Sequence, residues 1–202
     1  MKKMVYRLFV TMLVFSNAHI AIAHDEKDEH KQHKAMSAEI KKSDFNAVLP
    51  KVQMVRQDAK KVQFQDELSD GRVVVLSFIY TTCNAICPMT SQTIAKLQGK
   101  LGVDIAKVHL VSISIDPEQD TPDRLANYAS KFRAGKSWDY YTGVEDASIS
   151  VQKSLEAYRG DKMNHVPTTY VWSGKGETWV RIDGFASVDD LLREVRLQLS
   201  KN

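Results

Sequence analysis

Apolar residues change their spacing along this chain, and each spacing predicts an element. Val73–Tyr80, VVVLSFIY, is an apolar run interrupted only by Ser77, which suits a strand buried on both faces. Ile94, Leu97 and Leu101 follow at helical spacing, so Pro88–Leu101 reads as a helix. Val108–Ile115, VHLVSISI, is a second buried strand. Asp116–Asp123, DPEQDTPD, is a loop in which Thr121 is a natural N-cap and Pro122 suits a first helical turn. The helix it opens runs through Leu125, Tyr128, Ala129 and Phe132. Trp138–Gly143 is a third strand and Ser148–Tyr158 another helix. Thr168–Ser173 and Thr178–Ile182 form a hairpin across Gly174-Lys175-Gly176. Val188–Leu199 closes the chain as an amphipathic helix, with Leu191, Leu192, Val195 and Leu199 on one stripe. Ahead of all these, Leu49–Leu68 alternates Val52, Met54, Val62 and Phe64 around a polar turn and predicts a β-hairpin, and Asp70-Gly71 turns the chain into the central strand.

Strands that alternate with helices imply a parallel core, and the last hairpin adds antiparallel strands. The expectation is an α/β domain over residues 48–202: a central mixed sheet flanked by helices, with an N-terminal β-hairpin. The first 47 residues follow other rules. Lys2, Lys3 and Arg7 precede the apolar block Leu8–Phe15, and Ala21-Ile22-Ala23 is a small-x-small site. Residues 1–23 therefore read as a secretory signal peptide; eight apolar residues are far short of the roughly 20 that span a membrane. Residues 24–47 are almost wholly polar and carry His24, His30 and His33. Such a segment cannot bury enough surface to fold alone and reads as a flexible tail. Its histidines could capture metal loosely, but they lack regular ligand spacing.

Composition adds two constraints. The 202 residues are 43% hydrophobic, enough for one globular domain plus a tail. The formal charge of +3 equals the three basic residues of the leader. The mature chain is near neutral, so no nucleic-acid partner is expected. Cleavage would leave a soluble protein without a membrane span, periplasmic or otherwise extracytoplasmic.

The candidate chemistry lies between the first strand and its helix. Cys83 and Cys87 are the two cysteines of the chain. A helix start favours thiolates, because unpaired backbone N–H groups and the helix dipole stabilise the anion. At i and i+4 on a helical turn, the two side chains lie about 5–6 Å apart at Cβ. They could share one metal or close a disulfide. A loop that small would add only about 2 kcal/mol as a staple, so the pair points to redox or metal chemistry. Two soft sulfurs favour Cu(I), with Zn(II) also suited. The best third ligand is His165, in the loop MNHVPTT before the next core strand. Taken alone, a loop histidine is more often a cap or a satisfied hydrogen-bonding group. His109 alternates within an apolar strand and reads as structural; Asp116, before Pro117, reads as the start of a turn.

FIYTTCNAICP (Phe78–Pro88), SIDPEQDTP (Ser114–Pro122) and His165 followed five residues later by Tyr170-Val171-Trp172 resemble the Sco/SenC family, over roughly residues 48–200. The resemblance implies a thioredoxin-like fold. It implies a copper ion, Cu(I) or Cu(II), bound by Cys83, Cys87 and His165, and delivery of copper during assembly of respiratory oxidases such as cytochrome c oxidase. It also implies thiol–disulfide activity at Cys83 and Cys87 as a companion role, with the redox state of the pair gating the metal. The partner would be a copper-enzyme subunit or a thiol-redox protein. Three departures stand out. Asn84 replaces the proline that usually follows the first cysteine. Val166-Pro167-Thr168 looks like the proline loop that faces the thiols in thioredoxins; X–Pro bonds are cis in a minority of folded cases. A retained membrane anchor, common in the family, is not expected. Two other activities remain open beside the metallochaperone: a thiol–disulfide oxidoreductase acting on partner cysteines, and a peroxide-reducing thioredoxin relative.

Overall fold

The computed structural model describes residues 40–202. The expected signal peptide and the histidines of the tail lie outside these residues. In chain order the elements are β1 (Lys41–Asn46), β2 (Gln53–Arg56), β3 (Lys61–Gln63), α1 (Phe64–Leu68), β4 (Val73–Ile79), α2 (Ile86–Leu101), β5 (Val108–Ser114), α3 (Pro122–Lys131), β6 (Trp138–Thr142), α4 (Glu145–Ser154), β7 (Thr168–Trp172), β8 (Thr178–Asp183) and α5 (Val188–Leu199). Short 3-10 turns cover Gly102–Lys107 and Lys162–Asn164.

One eight-stranded sheet runs in the order β1-β8-β7-β4-β5-β6-β2-β3. β4, β5 and β6 pair in parallel; the remaining pairings are antiparallel. This is the mixed sheet expected. Every residue of β4 and β5 is buried, because helices cover both faces. Val73, Val75 and Ile79 point into a core formed with α2, α3 and α5. Val74, Leu76 and Phe78 point into a second core with the β2–β3 hairpin, α1 and α4. Two-residue periodicity divides one apolar run between two cores.

Two elements depart from the expectation. Lys41–Asn46, assigned by sequence to the tail, forms β1 and pairs with β8 from Lys41↔Asp183 to Asn46↔Thr178. The domain thus begins earlier than residue 48. This mostly polar edge strand is held by backbone bonds and by one apolar side chain, Phe45, packed on the second core, and KKSDFN carries no alternation to read. Phe64–Leu68 leaves the hairpin and becomes α1, with Phe64 and Leu68 buried one turn apart. In the β7–β8 hairpin, Trp172 and Trp179 stack with centroids 5.0 Å apart and planes 12° apart. The Trp172 indole donates to the Gly176 carbonyl of the connecting turn at 3.1 Å.

Candidate metal centre

β4 ends at Ile79, and a tight turn follows in which the Cys83 amide donates to the Tyr80 carbonyl at 3.1 Å. The helix N-cap is Ala85, which has no capping side chain. The Cys83 sulfur fills that role by accepting from the Cys87 amide at 3.4 Å. Pro88 sits in the first turn, where its missing N–H leaves no bond unmade. The chain therefore starts its helix two residues before the proline, and the thiols flank that start.

The two thiols are free and differ sharply. Cys87 is fully buried within the α2 core. That burial pushes its pKa well above the ordinary thiol range, and the neighbouring Cys83 adds to the rise. Cys83 is half-buried. Burial opposes its ionisation too, but the backbone N–H groups of Cys87 and Ala85, with hydrogen bonds from the Cys87 thiol and the Tyr80 hydroxyl, hold its pKa below the ordinary value. Tyr80 is pushed up to about 12, by burial first and by Cys83 second. It stays a neutral donor to the sulfur.

The loop that carries the cysteines is clasped by a residue that sequence reasoning passed over. Asp120 is fully buried. Its carboxylate accepts from the Thr81 amide at 3.2 and 3.1 Å, from the Thr81 hydroxyl, and from the Ser114 hydroxyl at 2.6 Å. It ties the end of β4 to the end of β5. The signal was available in DPEQDTP, where Asp120 follows Asp116 by one helical turn. Asp116 does begin a turn, its carbonyl accepting from the amides of Gln119 and Asp120. Its carboxylate also pairs with Lys162 at 2.6 Å.

His165 reaches the same end of the sheet. β7 runs antiparallel to β4, with Ser77↔Thr169 in register, so the loop before β7 lies beside the end of β4. Burial holds its pKa below the ordinary 6.5, against an opposing influence of the nearby Phe78 backbone. It lines a polar cavity of about 130 Å³ with Asp116, Glu118, Arg159 and Lys162. Cys83 and Cys87 are joined by the Cys87 amide on the Cys83 sulfur; among the described residues, no hydrogen bond joins His165 to either thiol. Among the described residues, no group of three or more His, Cys, Asp and Glu side chains is gathered to hold a metal. The Val166–Pro167 bond is trans, as are the other described peptide bonds. His109 is structural: buried in β5, its Nε2 lies 2.9 Å from Asp139.

Residues 41–200 match the SCO1/SenC family model. The chain belongs to the SCO1/SenC family. A SCO1 protein homolog of Bacillus subtilis (strain 168) is 28% identical to this SCO1/SenC protein over 151 residues, 69% of this chain and 77% of that one. BsSco, described as a member of the Sco family of cytochrome c oxidase assembly proteins with a disulfide switch, is similar with a TM-score of 0.66 at 28% identity. That match covers 79% of this chain and 98% of BsSco. Bradyrhizobium japonicum ScoI, solved with copper bound, gives a TM-score of 0.64 at 25% identity, covering 76% and 100% of the two chains. These relatives share the thioredoxin-like architecture of this SCO1/SenC domain. No helix among the described residues is long and apolar enough to cross a membrane.

Proposed function

We propose that this protein carries copper as cargo to a copper centre of a respiratory oxidase or another copper enzyme, outside the cytoplasm. Cys83, Cys87 and His165 are the ligands of this reading. The observation that carries it is the free thiol pair at the start of α2, with the Cys83 sulfur accepting the Cys87 amide, in a chain of the SCO1/SenC family. The donor chemistry fits. Two thiols suit Cu(I), and an imidazole kept neutral by burial is in its ligating form near neutral pH. The ring would have to move to join the sulfurs, because the three side chains are not gathered among the described residues. Copper-bound ScoI supports the cargo, and BsSco's oxidase-assembly family supports the recipient. The leader over residues 1–23 supports export.

The same pair supports gating by oxidation. A disulfide between Cys83 and Cys87 removes both thiolates, so only the reduced protein holds copper. The asymmetry of a half-buried Cys83 with a lowered pKa and a fully buried Cys87 also suits thiol–disulfide exchange, with Cys83 attacking a partner disulfide and Cys87 resolving it. Loading the reduced protein tests the primary reading. One copper per chain is expected, with loss of tight binding in Cys83→Ala and Cys87→Ala and a sharp weakening of Cu(II) binding in His165→Ala. Unchanged affinity in His165→Ala would remove the histidine from the site.

A further inference from the structure

A groove of about 440 Å³ runs between α2 and the turn that ends α3, within the range of roughly 300–1,000 Å³ usual for ligand sites. Three cations line it: Lys96 in the middle of α2, Lys131 in the last turn of α3, and Arg133 just beyond. No acidic residue takes part in the lining. All three cations are exposed, and none of them has an ion pair among the described residues. Lys100, one turn further along α2, is by contrast paired with Asp189 at 2.7 Å. The whole chain carries a formal charge of only +3, so this concentration of one sign is local. Lys131 suits the C-terminal end of a helix dipole; Lys96, in mid-helix, has no such local use. Like charges around one groove repel, and the fold gains nothing from gathering them. The groove has a fixed wall. Gln98 of α2 donates to the Arg133 carbonyl at 3.1 Å and accepts from the Gly135 amide at 2.8 Å. Those bonds brace Arg133 at φ of +53°, a left-handed backbone that is costly for a residue other than glycine. Phe132 packs on the buried Tyr128 with ring centroids 4.9 Å apart and anchors the same turn.

We propose that this groove grips an acidic, extended peptide segment of a protein partner. Carboxylates supply the counter-charges that the chain itself withholds from Lys96, Lys131 and Arg133. A concave site between a helix and a turn suits a narrow chain, whereas a lipid surface is flat and meets protruding residues. Lys96 follows Cys87 by nine residues on α2, about 14 Å along the helix axis. Four or five extended residues span that distance, so a partner held in the groove has its neighbouring residues within reach of the thiol end. The association is electrostatic and involves no covalent step. It stands apart from copper carriage and does not depend on it.

The test uses the reduced full chain, isotope-labelled for amide NMR, and two acetylated octapeptides. One alternates aspartate and glutamate; the other alternates asparagine and glutamine. The acidic peptide is expected to shift the amides of Gly99, Phe132 and Arg133, and the neutral one to leave them in place. Lys96→Gln, Lys131→Gln and Arg133→Gln combined should weaken binding about tenfold, the loss of three exposed ion pairs. Lys51→Gln, Lys60→Gln and Lys175→Gln combined remove the same charge from exposed positions elsewhere and should leave binding unchanged. Added salt should weaken the wild-type complex. Absence of binding, equal losses in the two triple variants, or shifts spread outside the groove would overturn the site. Wild-type protein that ignores the acidic peptide but binds phosphatidylglycerol vesicles through the same three residues would overturn it in favour of a lipid surface. Copper uptake should match in both triple variants and the wild type, so a failure of copper carriage and a failure of the groove are read separately.

Discussion

Replacing Asp120 with alanine tests whether the clasp between β4 and β5 holds the cysteine loop. The carboxylate has three donors: the Thr81 amide, the Thr81 hydroxyl and the Ser114 hydroxyl. Hydrogen bonds to a charged group contribute about 1.5–3 kcal/mol each, and a buried donor left without a partner costs about 1–3 kcal/mol. Ser114 is fully buried, so its hydroxyl meets the full penalty. Thr81 is half-exposed, and water can replace much of what its two donors lose. Removing the side chain also relieves the desolvation of a buried charge, which lowers the total. The net expectation is about 2–3 kcal/mol, roughly 30- to 150-fold in the unfolding constant. Urea unfolding of the reduced, metal-free protein measures it. With m near 2 kcal/mol/M, the midpoint should fall by about 1–1.5 M, while Asp123→Ala, exposed in the first turn of α3, should stay within about 0.5 kcal/mol of wild type. A fall for Asp120→Ala no larger than that of Asp123→Ala would refute the clasp.

Two further predictions concern the thiols and the β7–β8 turn. In the folded reduced protein, iodoacetamide should modify Cys83 with a half-maximal pH below the ordinary thiol value of about 8.5, and Cys87 should react only after unfolding. Cys87 holds its proton more tightly folded than unfolded. The unfolded chain therefore binds fewer protons above about pH 8.5, and this contribution to stability is lost as pH rises from there. Cys83 has the opposite sign: its contribution is present above about pH 8.5 and is lost as pH falls through its lower folded value. Unfolding of Cys87→Ala and Cys83→Ala across pH 6 to 10 separates the two. Gly174 has φ of +85°, and a Cβ there would sit 2.4 Å from the Arg72 carbonyl oxygen. Gly71 has φ of +84° with open space around it. Gly174→Ala should thus cost more than the roughly 1–3 kcal/mol of left-handed strain alone, and a thermal melt should place it well below Gly71→Ala. Equal melting temperatures would mean the hairpin does not press on the β4 turn.

The central strand and its cysteines were legible because burial on both faces writes an apolar run that nothing else mimics. The expected Val73–Tyr80 and the observed Val73–Ile79 differ by one residue. Elements held by backbone pairing or by local geometry were less visible. β1 offers only Phe45 to the core, and α1 offers only Phe64 and Leu68, whose spacing of four was masked by the alternation before it. α4 begins at Glu145, three residues ahead of the expected Ser148, because the acidic pair Glu145 and Asp146 suits a first turn. At the site, Cys83 and Cys87 could be read from spacing and position. His165 could be placed at the right end of the sheet, but its separation from the thiols depends on loop path and side-chain rotation that no pattern encodes. Asp120 went unread because a loop aspartate resembles any turn former until its three donors converge on it.

The stacked indoles of Trp172 and Trp179 give the protein an optical gauge of its own. Two parallel rings at 5.0 Å couple their electronic transitions. The folded hairpin should therefore show a split circular-dichroism band that vanishes when the rings part. The strand bearing Trp172 begins three residues after His165. A movement of that histidine transmitted along the strand would register as a change in the splitting. Copper uptake and its reach into the fold could thus be followed in one sample without adding a label.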